Sequence, residues 1–99
     1  MKRHALLSAV IALALATAGV AEAGCYADYK AKRGNPIKLH YGVIELSNDA
    51  DCGSKGAAKA AIAARIGADG WTLLNVLSLF GPEGLGERKA SAGKFFLRY

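Results

Sequence analysis

Few residues of this 99-residue chain could do chemistry. Beyond the first four residues, His40 is the only histidine. Nucleophilic catalysis needs a nucleophile, a base and an orienting group that converge, and none of the serines lies in a motif that marks a reactive hydroxyl. The carboxylates fall mostly in predicted turns, and no spacing pairs two of them. The sequence therefore predicts a protein that is not an enzyme and holds neither a metal nor a cofactor.

The two cysteines, Cys25 and Cys52, predict one structural disulfide. A redox pair would usually have the C-x-x-C spacing, which is absent. A bridge that closes a loop of about 27 residues would stabilise a small domain by about 3 to 4 kcal/mol. Because disulfides persist in oxidising compartments, the pair also predicts a protein that leaves the cytoplasm.

Residues 1–23 read as a cleaved secretory signal peptide. Lys2 and Arg3 precede an apolar run over residues 5–16, and Ala21-Glu22-Ala23 supplies the small-x-small cleavage pattern. The run is short for a membrane anchor. A lipoprotein signal ending at Cys25 is the alternative, but it would place a charged glutamate where an apolar residue is usual. We expect a periplasmic or secreted protein with no stable membrane insertion after cleavage.

Positive charge dominates the chain, with 13 basic and 8 acidic residues. Lys30, Lys32 and Arg33 concentrate it in residues 24–36, which we interpret as a basic N-terminal arm. The arm is either solvated or in contact with an anionic envelope polymer or protein. Export and the modest net charge of +5 argue against nucleic acid as the partner.

Hydropathy patterning predicts one α+β domain over residues 37–99. Period-2 alternation indicates a strand at 37–46. The alternation blurs toward the end of this strand, which predicts either a bulge at Gly42 or a strand end that is buried on both sides. An Ala-rich helix follows at 54–66, and an apolar strand spans 71–80. A glycine-rich loop then leads to a last strand at 90–99. These elements give a single βαββ domain whose three-stranded antiparallel sheet carries one helix on one face.

The strand from Trp71 to Phe80 is apolar on both faces, as in a central strand covered on both sides. One helix shields only one face of a small sheet. The sequence therefore predicts self-association through the open sheet face. The alternative is that residues 24–36 fold back over that face, held there by the disulfide.

Three segments together resemble known βαββ proteins: His40-Tyr41-Gly42-Val43-Ile44-Glu45-Leu46, Ile66-Gly67-Ala68-Asp69-Gly70-Trp71-Thr72-Leu73-Leu74-Asn75-Val76 and Phe95-Phe96-Leu97-Arg98-Tyr99. The pattern is similar to a bacterial family of unknown function with a Gly-x-x-Gly-Trp segment, to small periplasmic stress and biofilm proteins, and to dodecin. The periplasmic relatives imply a non-enzymatic envelope protein. The dodecin resemblance implies, as the alternative, a flavin-binding oligomer with Tyr41 and Trp71 as stacking residues, which the absorbance of the purified protein would reveal.

Overall fold

The computed structural model describes residues 25–99, so the predicted signal peptide lies outside the described residues. Within them the chain forms three strands and two helices, in the order β1 (Cys25–Arg33), β2 (Lys38–Leu46), α1 (Lys55–Gly67), β3 (Thr72–Phe80) and α2 (Gly86–Ala92). Three short 3-10 turns complete the fold, at Asp49–Cys52, Pro82–Gly84 and Gly93–Phe95.

The sheet has the order β2-β1-β3, and both strand pairs are antiparallel. Helix α1 packs on one face of this sheet, which we call the inner face, and the buried core lies between them. The predicted class is thus confirmed: an α+β domain with a three-stranded antiparallel sheet and a helix on one face.

The predicted basic arm at residues 24–36 is wrong, because residues 25–33 form β1, the central strand. Its alternation is real but inconspicuous, since two of the inward side chains are the small Ala27 and Ala31. The outward Lys30 and Lys32 dominate the composition and make the segment look like a solvated arm. Tyr29 is the only large side chain that β1 buries completely.

The predicted last strand at 90–99 is also wrong. Residues up to Ala92 belong to α2, and Gly93 ends the helix with a positive φ of 54°. The chain then passes the edge of β2, where the Leu97 amide donates to the Val43 carbonyl oxygen at 2.8 Å. The third strand of the sheet is therefore β1.

Strand β3 lies at the edge of the sheet, so its predicted central position is wrong. The β1–β3 register skips one residue at Leu74 and another at Leu77. Each of these β-bulges shifts the alternation by one residue. For this reason the sequence of β3 suggests apolar side chains on both faces. Within residues 25–99, β3 pairs with another strand along one of its two edges only.

Helix α1 confirms the prediction for residues 54–66. The Ser54 hydroxyl accepts from the Ala57 amide at 3.1 Å and caps the helix. Its buried stripe, Ala58, Ile62 and Ile66, packs on the sheet. The core that it forms there comprises Ala27, Tyr29, Ala31, Ile44, Leu46, Ala58, Ile62, Ile66 and Trp71.

The predicted disulfide between Cys25 and Cys52 is confirmed, with the two Cα atoms 6.2 Å apart. It ties the start of the central strand to the 3-10 turn that precedes α1. Such a bridge indicates an oxidising, extracytoplasmic compartment.

Gly42 does not mark a bulge, because the β1–β2 register runs without interruption. Gly42 pairs with Tyr29 across the two strands, and the Tyr29 ring lies against its backbone. A Cβ atom at position 42 would stand 2.6 Å from Cζ and Oη of that ring. The glycine is therefore required for the close approach of an aromatic ring.

We predict that Gly42→Ala destabilises the fold by about 1 to 3 kcal/mol, since the ring can yield only by leaving its place in the core. Urea unfolding followed by circular dichroism measures this change. Gly67→Ala is the matched control, because nothing lies within 4 Å of the added methyl group. It should leave stability unchanged or raise it by up to about 1 kcal/mol. Equal stability of the two variants would contradict the assignment.

Candidate functional site

The outer face of the sheet, opposite α1, is divided into a covered half and an open half. Helix α2 packs against β2 over the half that includes Val43, which is buried. Beneath the helix lies Asp28, a buried carboxylate on the central strand. The other half, near the β1–β2 turn, has no covering element among residues 25–99.

Asp28 anchors α2 to the sheet. Its carboxylate accepts hydrogen bonds from the Tyr41 hydroxyl at 2.7 Å, the Ser78 hydroxyl at 2.7 Å and Arg88 Nε at 3.0 Å. Burial by itself would raise the pKa of Asp28, but the hydrogen bonds from these three side chains hold the pKa below its usual value. Asp28 is therefore ionised and paired with Arg88, the residue that brings α2 down onto β1.

An aromatic contact extends the covered half. The Arg88 guanidinium lies 3.8 Å from the centre of the Phe80 ring, and that ring stacks with Tyr26 at 6.1 Å. Arg88 thus donates a hydrogen bond to a carboxylate and stacks on an aromatic ring at the same time. A lysine could not make both contacts in this way, because its ammonium group is not planar. These contacts cover the apolar outer side of β3 near its end, which sequence analysis expected a partner to cover.

The open half presents lysines between apolar side chains. Lys30 pairs in register with Tyr41 on β2 and Asn75 on β3, and Lys32 pairs with Leu39 and Thr72. Leu39 is 69% exposed, and the bulged Leu74 is 44% exposed. A depression of about 260 Å³ between them is lined by Lys30, Ala31, Leu39, His40, Tyr41 and Leu74.

Tyr41 stands at the boundary between the two halves. Its hydroxyl is committed to Asp28, and burial together with this carboxylate raises the pKa of Tyr41 to about 12. The phenol is therefore protonated at all physiological pH values. Its half-buried ring contributes a fixed apolar wall to the open half.

On the inner face, an aromatic cluster surrounds the buried His40. The His40 ring stacks on Phe95 with centroids 3.7 Å apart and meets Trp71 edge-on at 4.2 Å. A hydrogen bond of 2.9 Å joins His40 Nε2 and the Tyr29 hydroxyl oxygen. Arg33 covers the outside of Trp71, with its guanidinium carbon 4.2 Å from the ring centre.

The structure brings together three of the five predicted contact residues. Lys30, Lys32 and Tyr41 share the open half. Trp71 is buried on the inner face beneath Arg33, which also donates to the Asp69 carbonyl oxygen at 2.8 Å. Tyr41 and Trp71 lie on opposite faces of the sheet within one chain.

Two apolar residues of the open half were missed by sequence reasoning. Leu39 could have been found, because it alternates with Tyr41 along the same strand face. Leu74 could not, because a bulge places it and nothing in the local sequence marks that irregularity. Asp28 was also missed, since its role depends on Arg88, which is 60 residues away in the chain.

We predict that stability falls between pH 6.5 and 4 because of His40. Burial, followed by the nearby charge of Arg33, lowers the pKa of His40 from 6.5 to about 4. The unfolded chain therefore takes up this proton first, so the contribution is complete above pH 6.5 and is lost as the pH falls toward 4, by up to about 3 kcal/mol.

Urea unfolding at a series of pH values measures this loss, with His40→Gln as the variant that cannot titrate. The pKa values of Asp28 and Asp69 are lowered from 3.8, so both carboxylates titrate below this window. The variant should show a shallower pH dependence than the unmodified protein. Identical slopes in the two proteins would contradict the assignment.

We also predict that Asp28→Asn loosens α2. The substitution removes the charge that pairs with Arg88 and costs about 1 to 3 kcal/mol. Protected amides of α2 should then exchange with solvent at least roughly tenfold faster, while those of α1 are unaffected. Glu87→Gln is the control, because the Glu87 contact to Arg88 is on the surface and such ion pairs contribute little. Equal exchange in both variants would show that Asp28 is not the anchor.

Comparisons of the chain with protein-family models, with curated proteins and with solved structures find no match. Over residues 25–99, no helix is long and apolar enough to cross a membrane. The same part of the chain contains no group of three or more His, Cys, Asp or Glu side chains placed to hold a metal ion.

Proposed function

We propose that this protein is a non-enzymatic binding protein of the periplasm or cell exterior, and that its open half binds an anionic partner of the cell envelope. One observation carries the proposal. Of the four exposed large apolar side chains of residues 25–99, three lie on or beside the open half, namely Ile37, Leu39 and Leu74. Leu39 and Leu74 line one depression and Ile37 lines another at the same end of the sheet, and exposed apolar side chains grouped in this way are typical of an interaction surface.

The charge of the open half favours an anionic partner. Lys30 and Lys32 project from the central strand into the middle of the patch. Neither forms an ion pair with a carboxylate of residues 25–99. Two uncompensated ammonium groups in an apolar surround attract negative groups of a partner and repel cationic ones.

Self-association through the open sheet face remains a prediction of the sequence. A twofold contact through the open half would place Lys30 and Lys32 of one copy close to the same residues of the other. Like charges at an interface oppose association. We therefore favour an anionic partner over a second copy, and sedimentation equilibrium at micromolar concentration distinguishes the two.

The compartment supports the same proposal. The Cys25–Cys52 disulfide indicates an oxidising environment. The predicted signal peptide specifies export, and the resemblance to small periplasmic stress and biofilm proteins suggests the cell envelope. Anionic polymers and lipids are abundant there, whereas nucleic acid is not an expected ligand.

The test is a titration with two soluble polyanions, dextran sulfate and polyglutamate, followed by amide NMR. We expect shifts concentrated in Lys30, Lys32, Leu39 and Leu74. Lys30→Gln with Lys32→Gln should weaken binding roughly tenfold, because two charge contacts are lost.

Lys55→Gln with Lys59→Gln on α1 is the charge-matched control and should bind like the unmodified protein. Shifts that map to α1, or equal affinities of the two double variants, would refute the open half as the binding surface. Binding of neither polyanion would refute an anionic polymer as the partner.

A further inference from the structure

We infer that the partner of the open half is an anionic lipid surface, on which the β1–β2 hairpin docks peripherally. The inference rests on the proposed function and names its ligand class. It assigns two roles to the hairpin. Ile37 and Leu39 enter the boundary between headgroups and acyl chains, while the lysines around them contact lipid phosphates.

The tip of the hairpin carries two exposed apolar side chains. Ile37 is 62% exposed and Leu39 is 69% exposed, more than any other large apolar side chain of residues 25–99. Ile37 is the last residue of the turn at 34–37, and Leu39 is the second residue of β2. Both therefore stand at the hairpin end of the sheet. Side chains exposed at such an end can enter a planar boundary without displacing the rest of the fold.

Three lysines lie around that tip. Lys32 on β1 and Lys38 on β2 lie beside the turn, and Lys30 lies two residues before Lys32 on β1. None of the three is ion-paired within residues 25–99. The nearest acidic residue in this region, Asp69, is already engaged by Arg33 and by the Tyr99 hydroxyl.

Acidic residues instead collect at the opposite end of the sheet. Glu45 pairs with Tyr26 near the start of β1, and Asp49 and Asp51 lie in the 3-10 turn beyond β2. The hairpin end is therefore basic, and the disulfide end is net acidic because Glu45, Asp49 and Asp51 outnumber Lys55 there. A negative surface orients such a molecule with the hairpin toward it.

A depression at the hairpin end provides room for a headgroup. It measures about 270 Å³ and is lined by Lys32, Arg33, Gly34, Ile37, Gly70 and Thr72. A phosphate there would have the Lys32 ammonium on one side, with Ile37 beside it. A soluble polyanion would satisfy the lysines, but it offers no apolar phase for Ile37 and Leu39. A bilayer offers both, which is why we favour lipid.

Vesicle co-sedimentation tests the inference. The protein is purified as the cell exports it, its processed mass is verified, and it is mixed with phosphatidylcholine vesicles with or without about 30 mol % phosphatidylglycerol. We expect binding only to the anionic vesicles. Each lysine contributes about fivefold to partitioning, so Lys30→Gln, Lys32→Gln and Lys38→Gln together should reduce it roughly a hundredfold.

The apolar contribution is separated from charge by two further variants. Ile37→Ser with Leu39→Ser should lower vesicle binding roughly tenfold or more but leave polyanion binding intact. Ile37→Trp should retain vesicle binding and give a blue-shifted emission on binding, because tryptophan favours the interface. Leu97→Ser removes the one exposed large apolar side chain of residues 25–99 that is not assigned to the open half, and it serves as the control with unchanged binding.

Three outcomes would overturn the inference. The first is a protein that binds polyanions but not anionic vesicles, which leaves the proposed function standing. The second is vesicle binding that the double serine variant does not weaken. The third is equal binding to neutral and anionic vesicles. Failure to bind either polyanions or vesicles would overturn the proposed function as well.

Discussion

The packing of the Tyr29 ring across Gly42 is the contact on which the rest of the structure depends. With no side chain at position 42, the ring crosses the neighbouring strand and its hydroxyl reaches His40. That hydrogen bond satisfies Nε2 of the buried imidazole, whereas Nδ1 has no hydrogen-bond partner within residues 25–99. Phe95 and Trp71 then pack on the two sides that His40 leaves open. A core of this kind gives a small domain large apolar area from few residues.

The aromatic cluster also determines what remains uncovered. It holds the C-terminal segment against the edge of β2, while Arg88 holds α2 on the outer face at Asp28. A helix of seven residues is about 10 Å long, whereas a strand of nine residues spans about 30 Å. Helix α2 is thus too short to cover the outer face, and the hairpin end stays open. The open half is therefore exposed because α2 is short, and not only because of the residues that lie in it.

Sequence reasoning succeeded where local signals agree and failed where distant contacts decide. Residues 54–67 carry a cap, an apolar stripe and a terminal glycine, so the helix could be predicted. The central strand at residues 25–33 was not predicted, because its exposed lysines dominate the composition of the segment. Residues 90–99 alternate like a strand, but a positive φ at Gly93 and the aromatic cluster divide them between a helix and an irregular end. The lysines of the open half could be predicted from the sequence. The bulged Leu74 and the ion pair of Asp28 could not.

The bulges of β3 have a consequence for the solubility of the chain. An apolar strand of nine residues at the edge of a sheet offers a template on which other chains can add, strand upon strand, into aggregates. Two skipped residues break the even spacing of its outward amide and carbonyl groups. An incoming strand could not keep a regular register along such an edge. The two bulges that made the faces of β3 hard to predict thereby also oppose the addition of further strands at its free edge.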